Sequence, residues 1–201
     1  MAPDVDVLIQ DARGGDDAAL GRLLDSYCQY LTLLARVQIG RRLQGKVDPG
    51  DLVQETFLDA HRQFGRFRGT SERELVAWLR RILAGQFALT LRRYLGTKGR
   101  DVKLERELAA EIDHSSLVMD RALVAPYSTP SQQAARREQA VLLADALGQL
   151  PEDYREVIIL RHLESLTFGE VAQRMGRSEN SVQKLWVRAL ASLRRSLERP
   201  S

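Results

Sequence analysis

One period dominates this sequence and limits what it can fold into. Wherever apolar residues recur, they do so at i, i+3, i+4, the spacing that gathers side chains on one face of an α-helix. Leu20, Leu23, Leu24, Tyr27, Leu31 and Leu34 run this way, with Gln38 as the polar last member. Val53, Phe57, Ala60 and Phe64 form a second stripe, and Leu75, Trp78, Leu79, Ile82 and Gln86 a third. No apolar–polar alternation is long enough to build a sheet, and no segment repeats another. The chain is predicted to be all-α.

Capping signals place the helix ends. Asp48-Pro49 starts one helix: the aspartate can cap it, and proline in the first turn loses no helical hydrogen bond. Ser71 and Glu74 read as a capping box, as do Thr167 and Glu170. Leu150-Pro151-Glu152-Asp153 opens a helix with acids where the helix dipole favours them. Gly96 is a plausible stop, and Gly176 tolerates a positive φ between two helices, the second capped by Ser178. From Gly96 to Pro130 the pattern weakens. Lys103 to Ile112 can form a short helix, whereas His114 to Pro130, with Ser115, Ser116, Pro126, Ser128, Thr129 and Pro130, reads as linker. Periodicity returns at Ser131. The expected organisation is two small helical domains, 1–96 and 131–201, joined by a flexible linker over 97–130.

Of the 201 residues, 44% are hydrophobic and 28% charged, the balance of a soluble globular protein rather than a disordered one. A net charge of +3 is compatible with a nucleic-acid partner without demanding one. The single cysteine, Cys28, allows no intramolecular disulfide, and its apolar neighbours predict a buried thiol acting as a small hydrophobe. The acidic N-terminal stretch lacks a signal pattern, and no apolar run reaches the roughly 18 residues of a membrane span. A cytoplasmic protein without membrane contact is expected. His61, His114 and His162 are scattered, and no phosphate loop, metal cluster or nucleophile arrangement is present. An enzyme is not expected, nor a cofactor or metal.

Three patterns point to binding. The first is LTFGEVAQRMGRSENSVQKLWVRAL, Leu166 to Leu190: a short helix, a glycine turn and a longer helix, the layout of a helix-turn-helix. In that motif the start of the second helix enters the major groove. Here it offers Ser178, Glu179, Asn180, Ser181, Gln183 and Lys184. Asn and Gln can pair with adenine, Lys can reach guanine and Glu can accept from cytosine, while Arg177 and Arg188 suit phosphates. The spacing alone leaves a plain helical hairpin open. The second pattern is an acidic stripe, Asp51, Glu55 and Asp59, with Gln54 and Leu58 beside it. It reads as a solvated face or as a dock for a basic partner helix. The third is a window without acids between Glu74 and Asp101, carrying Arg80, Arg81, Arg92, Arg93, Lys98 and Arg100 interleaved with Trp78, Phe87 and Tyr94. Arg81, Gly85, Ala88 and Arg92 share a face that a nucleic-acid backbone could approach, unless it is simply solvated.

Taken together, DPGDLVQETFLDAHRQFGRFRG, the helix containing WLRRI, and LPEDYREVIILRHLESLTFGEVAQRMGRSENSVQKLWVRALASLRR resemble the bacterial RNA polymerase sigma factors. The likeness is to the extracytoplasmic-function (ECF) subfamily, which has only the second and fourth sigma regions. The resemblance implies a region 2 helical bundle and a region 4 helix-turn-helix. Asp51, Leu52, Gln54 and Glu55 would then grip the coiled coil of the polymerase β′ clamp, and region 4 would meet the β flap. The loop with Arg68, Gly69, Thr70 and Ser71, and the helix with Trp78, Arg81, Arg92 and Arg93, would open the minus-ten element and hold a flipped base. The residues from Arg177 to Arg188 would read the minus-thirty-five element, and the linker would run through the polymerase channels. Partners implied are core RNA polymerase, promoter DNA and, as for many ECF proteins, an anti-sigma factor. One departure stands out: many ECF proteins carry an asparagine, and four residues later an aspartate, where this chain has Gly85 and Leu89. The alternative function is an autonomous helix-turn-helix regulator, which would need neither the acidic stripe nor the basic helix.

Overall fold

The structure, a computed structural model, describes residues 5–43, 47–95, 102–122 and 140–197. The expected stop at Gly96, the basic residues Lys98 and Arg100, the stretch 123–130 and the periodicity from Ser131 lie outside the described residues. Among the described residues every regular element is helical. The chain divides into two compact units, Met1–Ser116 and Leu117–Ser201.

The first unit contains α1 (Val5–Arg13), α2 (Asp17–Asp25), α3 (Cys28–Arg42), α4 (Pro49–Gln63), α5 (Glu72–Leu95) and the start of α6 (Val102–Ala122). Helix α3 is buried almost all round: Tyr30, Leu31, Leu33, Leu34, Ala35, Val37 and Ile39 are each 4% exposed or less. A helix apolar on every side belongs at the centre of a bundle. Helices α4 and α5 pack against it and against each other, and Leu75, Leu79, Leu83 and Phe87 of α5 are fully buried. Asp48 caps α4 as expected, accepting from the amide of Gly50 at 2.6 Å, with Pro49 as the first helical residue.

Four features depart from the sequence reading. The periodic run from Leu20 to Gln38 is split at Ser26 and Tyr27 into α2 and α3; the Ser26 hydroxyl donates to the Leu23 carbonyl at 2.7 Å, a local bond that competes with helix continuation. Cys28 therefore opens a helix and is half-buried rather than buried. Helix α1 is additional to the elements the sequence predicts, with Leu8, Ile9 and Ala12 at helical spacing and buried. Finally, the first part of the expected linker is the long helix α6, extending past Ile112 to Ala122. Leu108 and Ile112 are fully buried, and Ser115 and Ser116 are 2% and 4% exposed. The two serines looked like linker, but they satisfy buried polar groups. Ser115 Oγ accepts from Gln38 Nε2 at 3.3 Å, and Ser116 Oγ lies 2.9 Å from the Tyr30 hydroxyl. Tertiary partners override local propensity here.

The second unit comprises the helical residues 140–148 (α7), α8 (Glu152–Ile158) continuing into a π-helical turn at Ile159–Leu163, α9 (Phe168–Met175) and α10 (Glu179–Leu197). Leu143, Leu147, Val157, Ile158, Leu160, Val171, Val182, Ala189 and Leu193 form its core. No described helix is long and apolar enough to cross a membrane.

Candidate nucleic-acid and polymerase interfaces

The second unit presents a helix-turn-helix whose turn is built as the sequence predicts. Thr167 and Glu170 form a complete capping box at the start of α9. The Thr167 hydroxyl accepts from the Glu170 amide at 3.3 Å, and the Glu170 carboxylate accepts from the Thr167 amide at 2.7 Å. The Thr167 amide and hydroxyl, each donating to that carboxylate at 2.7 Å, hold the Glu170 carboxyl below the usual carboxylate range. Gly176 adopts φ 63°, ψ 35°, the left-handed conformation that glycine enters without a Cβ penalty. Ser178 Oγ then accepts from the amide of Ser181 at 3.3 Å.

Ser178, Glu179, Asn180, Ser181, Gln183, Lys184 and Arg188 are all exposed, while Val182 and Ala189 fix the opposite side of α10 in the core. Gln183 leans on Glu179 through a 3.4 Å bond. Arg177 is exposed too, but its guanidinium is paired with Asp153 of α8.

Behind this surface, α10 is braced by Trp186. Its indole donates to His162 Nε2 at 3.0 Å, and its ring meets Phe168 edge-on at 5.5 Å. Arg161 lies 4.7 Å over the opposite partner, the Phe168 ring, and donates to the Leu166 carbonyl at 2.9 Å. Burial, then the charge of Arg161, lower the His162 pKa below its usual 6.5. The neutral ring accepts from the indole; the protonated ring cannot. Because the unfolded chain binds the proton more readily, stability of this unit falls as pH drops through about 6.5. In an NMR titration the His162 midpoint should lie below 6.5, with the Trp186 indole N–H shifting in step. An indole signal that ignores the titration would mean the bond does not form.

In the first unit the acidic stripe borders a groove of about 610 Å³ lined by Val47, Asp48, Asp51, Leu52, Gln54, Glu55, Leu58, Thr90, Arg93 and Tyr94. Asp51, Gln54 and Glu55 are exposed, and Leu52, 3% exposed, belongs to the floor. Leu58 and Tyr94 remain 51% and 53% exposed, so the groove joins acidic and apolar surface. Asp59 is turned away and accepts from Gln86 Nε2 of α5 at 3.1 Å. The stripe is thus shorter than its spacing implied.

The loop between α4 and α5 is held in part by its own aromatic residues and by the first turns of α5. Phe64, Phe67 and Trp78 form an aromatic cluster with centroid distances of 5.0 to 6.0 Å. Gly69 is buried against the Phe67 ring and Glu74. The Glu74 carboxylate accepts from the amides of Thr70 at 3.0 Å and Ser71 at 3.2 Å, and from the Ser71 hydroxyl at 2.8 Å. Those bonds hold the Glu74 carboxyl below the carboxylate range. Only half of the expected capping box forms: the Glu74 amide donates to the Ser71 carbonyl at 3.1 Å rather than to its hydroxyl. Arg68 and Thr70 are exposed, Ser71 half-buried.

The basic window divides. Arg81 is exposed beside Gly85, where an added Cβ would meet nothing within 4 Å. Ala88 on the same face is fully buried. Arg92, with 14% of its side chain exposed, is 3.4 Å from Glu105 of α6, and Arg80 Nε lies 2.7 Å from Asp113. Arg93 lines the acidic groove rather than the loop side. Helix α6 therefore draws two of the expected free arginines into ion pairs, which no spacing within α5 could have signalled.

Residues 27–95 match the family model for sigma-70 region 2, and residues 140–193 match that for sigma-70 region 4. This chain is an ECF sigma factor. The ECF RNA polymerase sigma factor BldN of Streptomyces coelicolor is 29% identical over 194 residues, which take in 94% of this chain and 64% of BldN. The ECF sigma-E factor of Haemophilus influenzae is 29% identical, covering 90% of this chain and 89% of that protein. The sigma-H factor of Pseudomonas aeruginosa is 27% identical, with 95% and 92% covered. Among solved structures, a chain of the RsbN–BldN complex is 28% identical, covering 93% of this chain and 97% of that one, with a TM-score of 0.32. In this sigma factor the region 2 match takes in α3 to α5, and the region 4 match spans the helix-turn-helix. Helices α1, α2 and α6 fall outside both matches.

Proposed function

We infer that this ECF sigma factor binds core RNA polymerase and directs it to promoters, with one contact class in each unit. The observation that carries the reading is the exposed N-terminal surface of α10, Ser178 to Lys184, presented by a capped helix-turn-helix inside the region 4 match. Asn180, Gln183 and Lys184 would read base edges of the minus-thirty-five element, and Arg188 would meet phosphate. Arg177 would do so on leaving Asp153. In region 2, the groove edged by Asp51, Gln54 and Glu55 is proposed as the dock for the β′ clamp coiled coil, with Leu52 beneath it. Charge complementarity favours a basic helix there, and Leu58 and Tyr94 supply apolar area. The β flap is the proposed partner of region 4. An anti-sigma factor would compete for these same faces.

The loop from Arg68 to Ser71, with Trp78 and Arg81, is the proposed minus-ten surface. Its backbone is fixed in advance, so capturing a flipped base would order little further chain. Arg92 is left out of that surface because Glu105 holds it, and Arg93 because it faces the groove. Gly85 opens a gap where many relatives of the family place a polar side chain, so the downstream preference should be this chain's own. The chemistry of initiation belongs to the polymerase, and the proposed setting is the cytoplasm.

The test is initiation from fragmented genomic DNA by sigma-free core polymerase supplemented with this protein, read by sequencing transcript starts. Starts sharing paired upstream and downstream elements are expected. Promoter duplex bound equally well with and without core polymerase would instead favour an autonomous regulator. In the same assay Asn180→Ala and Lys184→Ala should each cost about 1–3 kcal/mol of discrimination at single upstream positions while core binding persists. Unchanged upstream preference would place base reading on another surface.

A further inference from the structure

The loop assigned to the flipped base has two sets of anchors, and one comes from outside the region 2 match. Glu74 grips the loop from its own helix, through the Thr70 and Ser71 amides. Across the loop, Arg13 Nη1 of α1 donates to the Gly69 carbonyl at 3.4 Å, over a separation of 56 residues. The first residue of α5 is held the same way: the Glu72 amide donates to Asp6 Oδ1 of α1 at 3.3 Å. A carboxylate at a helix N-terminus is favoured by the free amides and the dipole there. The Glu72 carboxylate in turn accepts from the buried Tyr27 hydroxyl at 2.9 Å. Helix α1 is fixed to the bundle by Leu8, Ile9 and Ala12, so Asp6 and Arg13 extend from a rigid base.

We propose that α1 is a strut for the loop: Arg13 and Asp6 are positioning residues that set its conformation and thereby the base preference at the captured position, without touching DNA. The proposal rests on the minus-ten reading of the loop. Specificity is a difference of affinities, and it is lost when a pocket's backbone can relax to suit several bases. Glu74 alone holds the loop's C-terminal half. The Gly69 carbonyl, between the exposed Arg68 and Thr70, is held by Arg13.

The experiment uses holoenzyme reconstituted from core polymerase and the full chain. It is incubated with single-stranded DNA oligonucleotides randomised over a short window, and the bound fraction is sequenced. Arg13→Ala and Asp6→Ala should each lower the preference at one position by about three- to tenfold, the yield of one lost hydrogen bond. That position should be the one Arg68→Ala also flattens; preference elsewhere and core affinity should hold, and the melting midpoint should fall by no more than several degrees. Arg13→Lys, which keeps a donor, should retain most of the preference. Position-specific preference discounts a lost phosphate contact, which weakens all sequences alike. If Arg68→Ala flattens the position and both α1 variants leave it intact, the strut is overturned and the loop reading stands. If Arg68→Ala also changes nothing, both fall. A uniform loss at every position in the α1 variants overturns the strut as well, since it marks general affinity or folding damage.

Discussion

Replacing Asp51 and Glu55 together by lysine should weaken binding to core polymerase by a hundredfold or more, roughly the several kcal/mol of a like-charge juxtaposition. Both carboxylates are exposed on α4 and border the groove, and neither sits in the bundle core. The double variant should therefore fold with a melting midpoint close to wild type, which separates a lost dock from a lost fold. It removes two negative charges and adds two positive ones where a basic helix is proposed to lie. The effect should shrink at high salt, because exposed charges are screened beyond about 10 Å at 0.1 M. Asp59→Lys is an informative contrast. Asp59 accepts from Gln86 across the α4–α5 contact, so that change should lower stability more than core affinity. Titration of labelled core polymerase with each variant makes the comparison. Wild-type affinity in the Asp51→Lys/Glu55→Lys protein would move the dock elsewhere.

What the sequence made legible was whatever a single helix encodes by itself. The Asp48 cap, the Thr167–Glu170 box, the left-handed Gly176 and the exposed face of α10 all follow from residue types at fixed spacing. What it hid depended on a second element arriving. Arg80 and Arg92 looked like free cations in a window without acids, yet their partners Asp113 and Glu105 come from α6. Ser115 and Ser116 carried a linker signal that only Gln38 and Tyr30, some eighty residues earlier, cancel. Gln38, the odd polar member of an apolar stripe, was the one available hint. A fully buried amide demands a partner, and a polar helix was the place to look. Arg93 was misplaced for a simpler reason. Adjacent to Arg92 in sequence, it points about 100° round the helix, toward α4 and its acids.

Gly69→Ala should destabilise region 2 and, above all, disable its loop. A Cβ at this position would lie 2.7 Å from Phe67 Cε2 and 2.7 Å from Glu74 Cβ, and closer still to Phe67 Cζ. Neither obstacle can swing aside cheaply. The Phe67 ring is locked against Trp78 at 5.0 Å and Phe64 at 5.7 Å, and Glu74 Cβ is part of α5. Overpacking of this kind costs roughly 1–3 kcal/mol, which for a domain of this size lowers the melting midpoint by on the order of 10 °C. The functional loss should be larger than the stability loss. The loop must either pull the Gly69 carbonyl away from Arg13 or shift the Thr70 and Ser71 amides off Glu74, and both deform the proposed base pocket. Promoter opening, followed by permanganate reactivity of unpaired thymines, should collapse at temperatures where the variant is still folded and still bound to core polymerase. Gly65→Ala controls for generic loop effects, since an added Cβ there meets nothing within 4 Å and should change opening little. If Gly69→Ala melts lower but opens promoters normally once folded, the loop is a structural turn and the flipped base is held elsewhere.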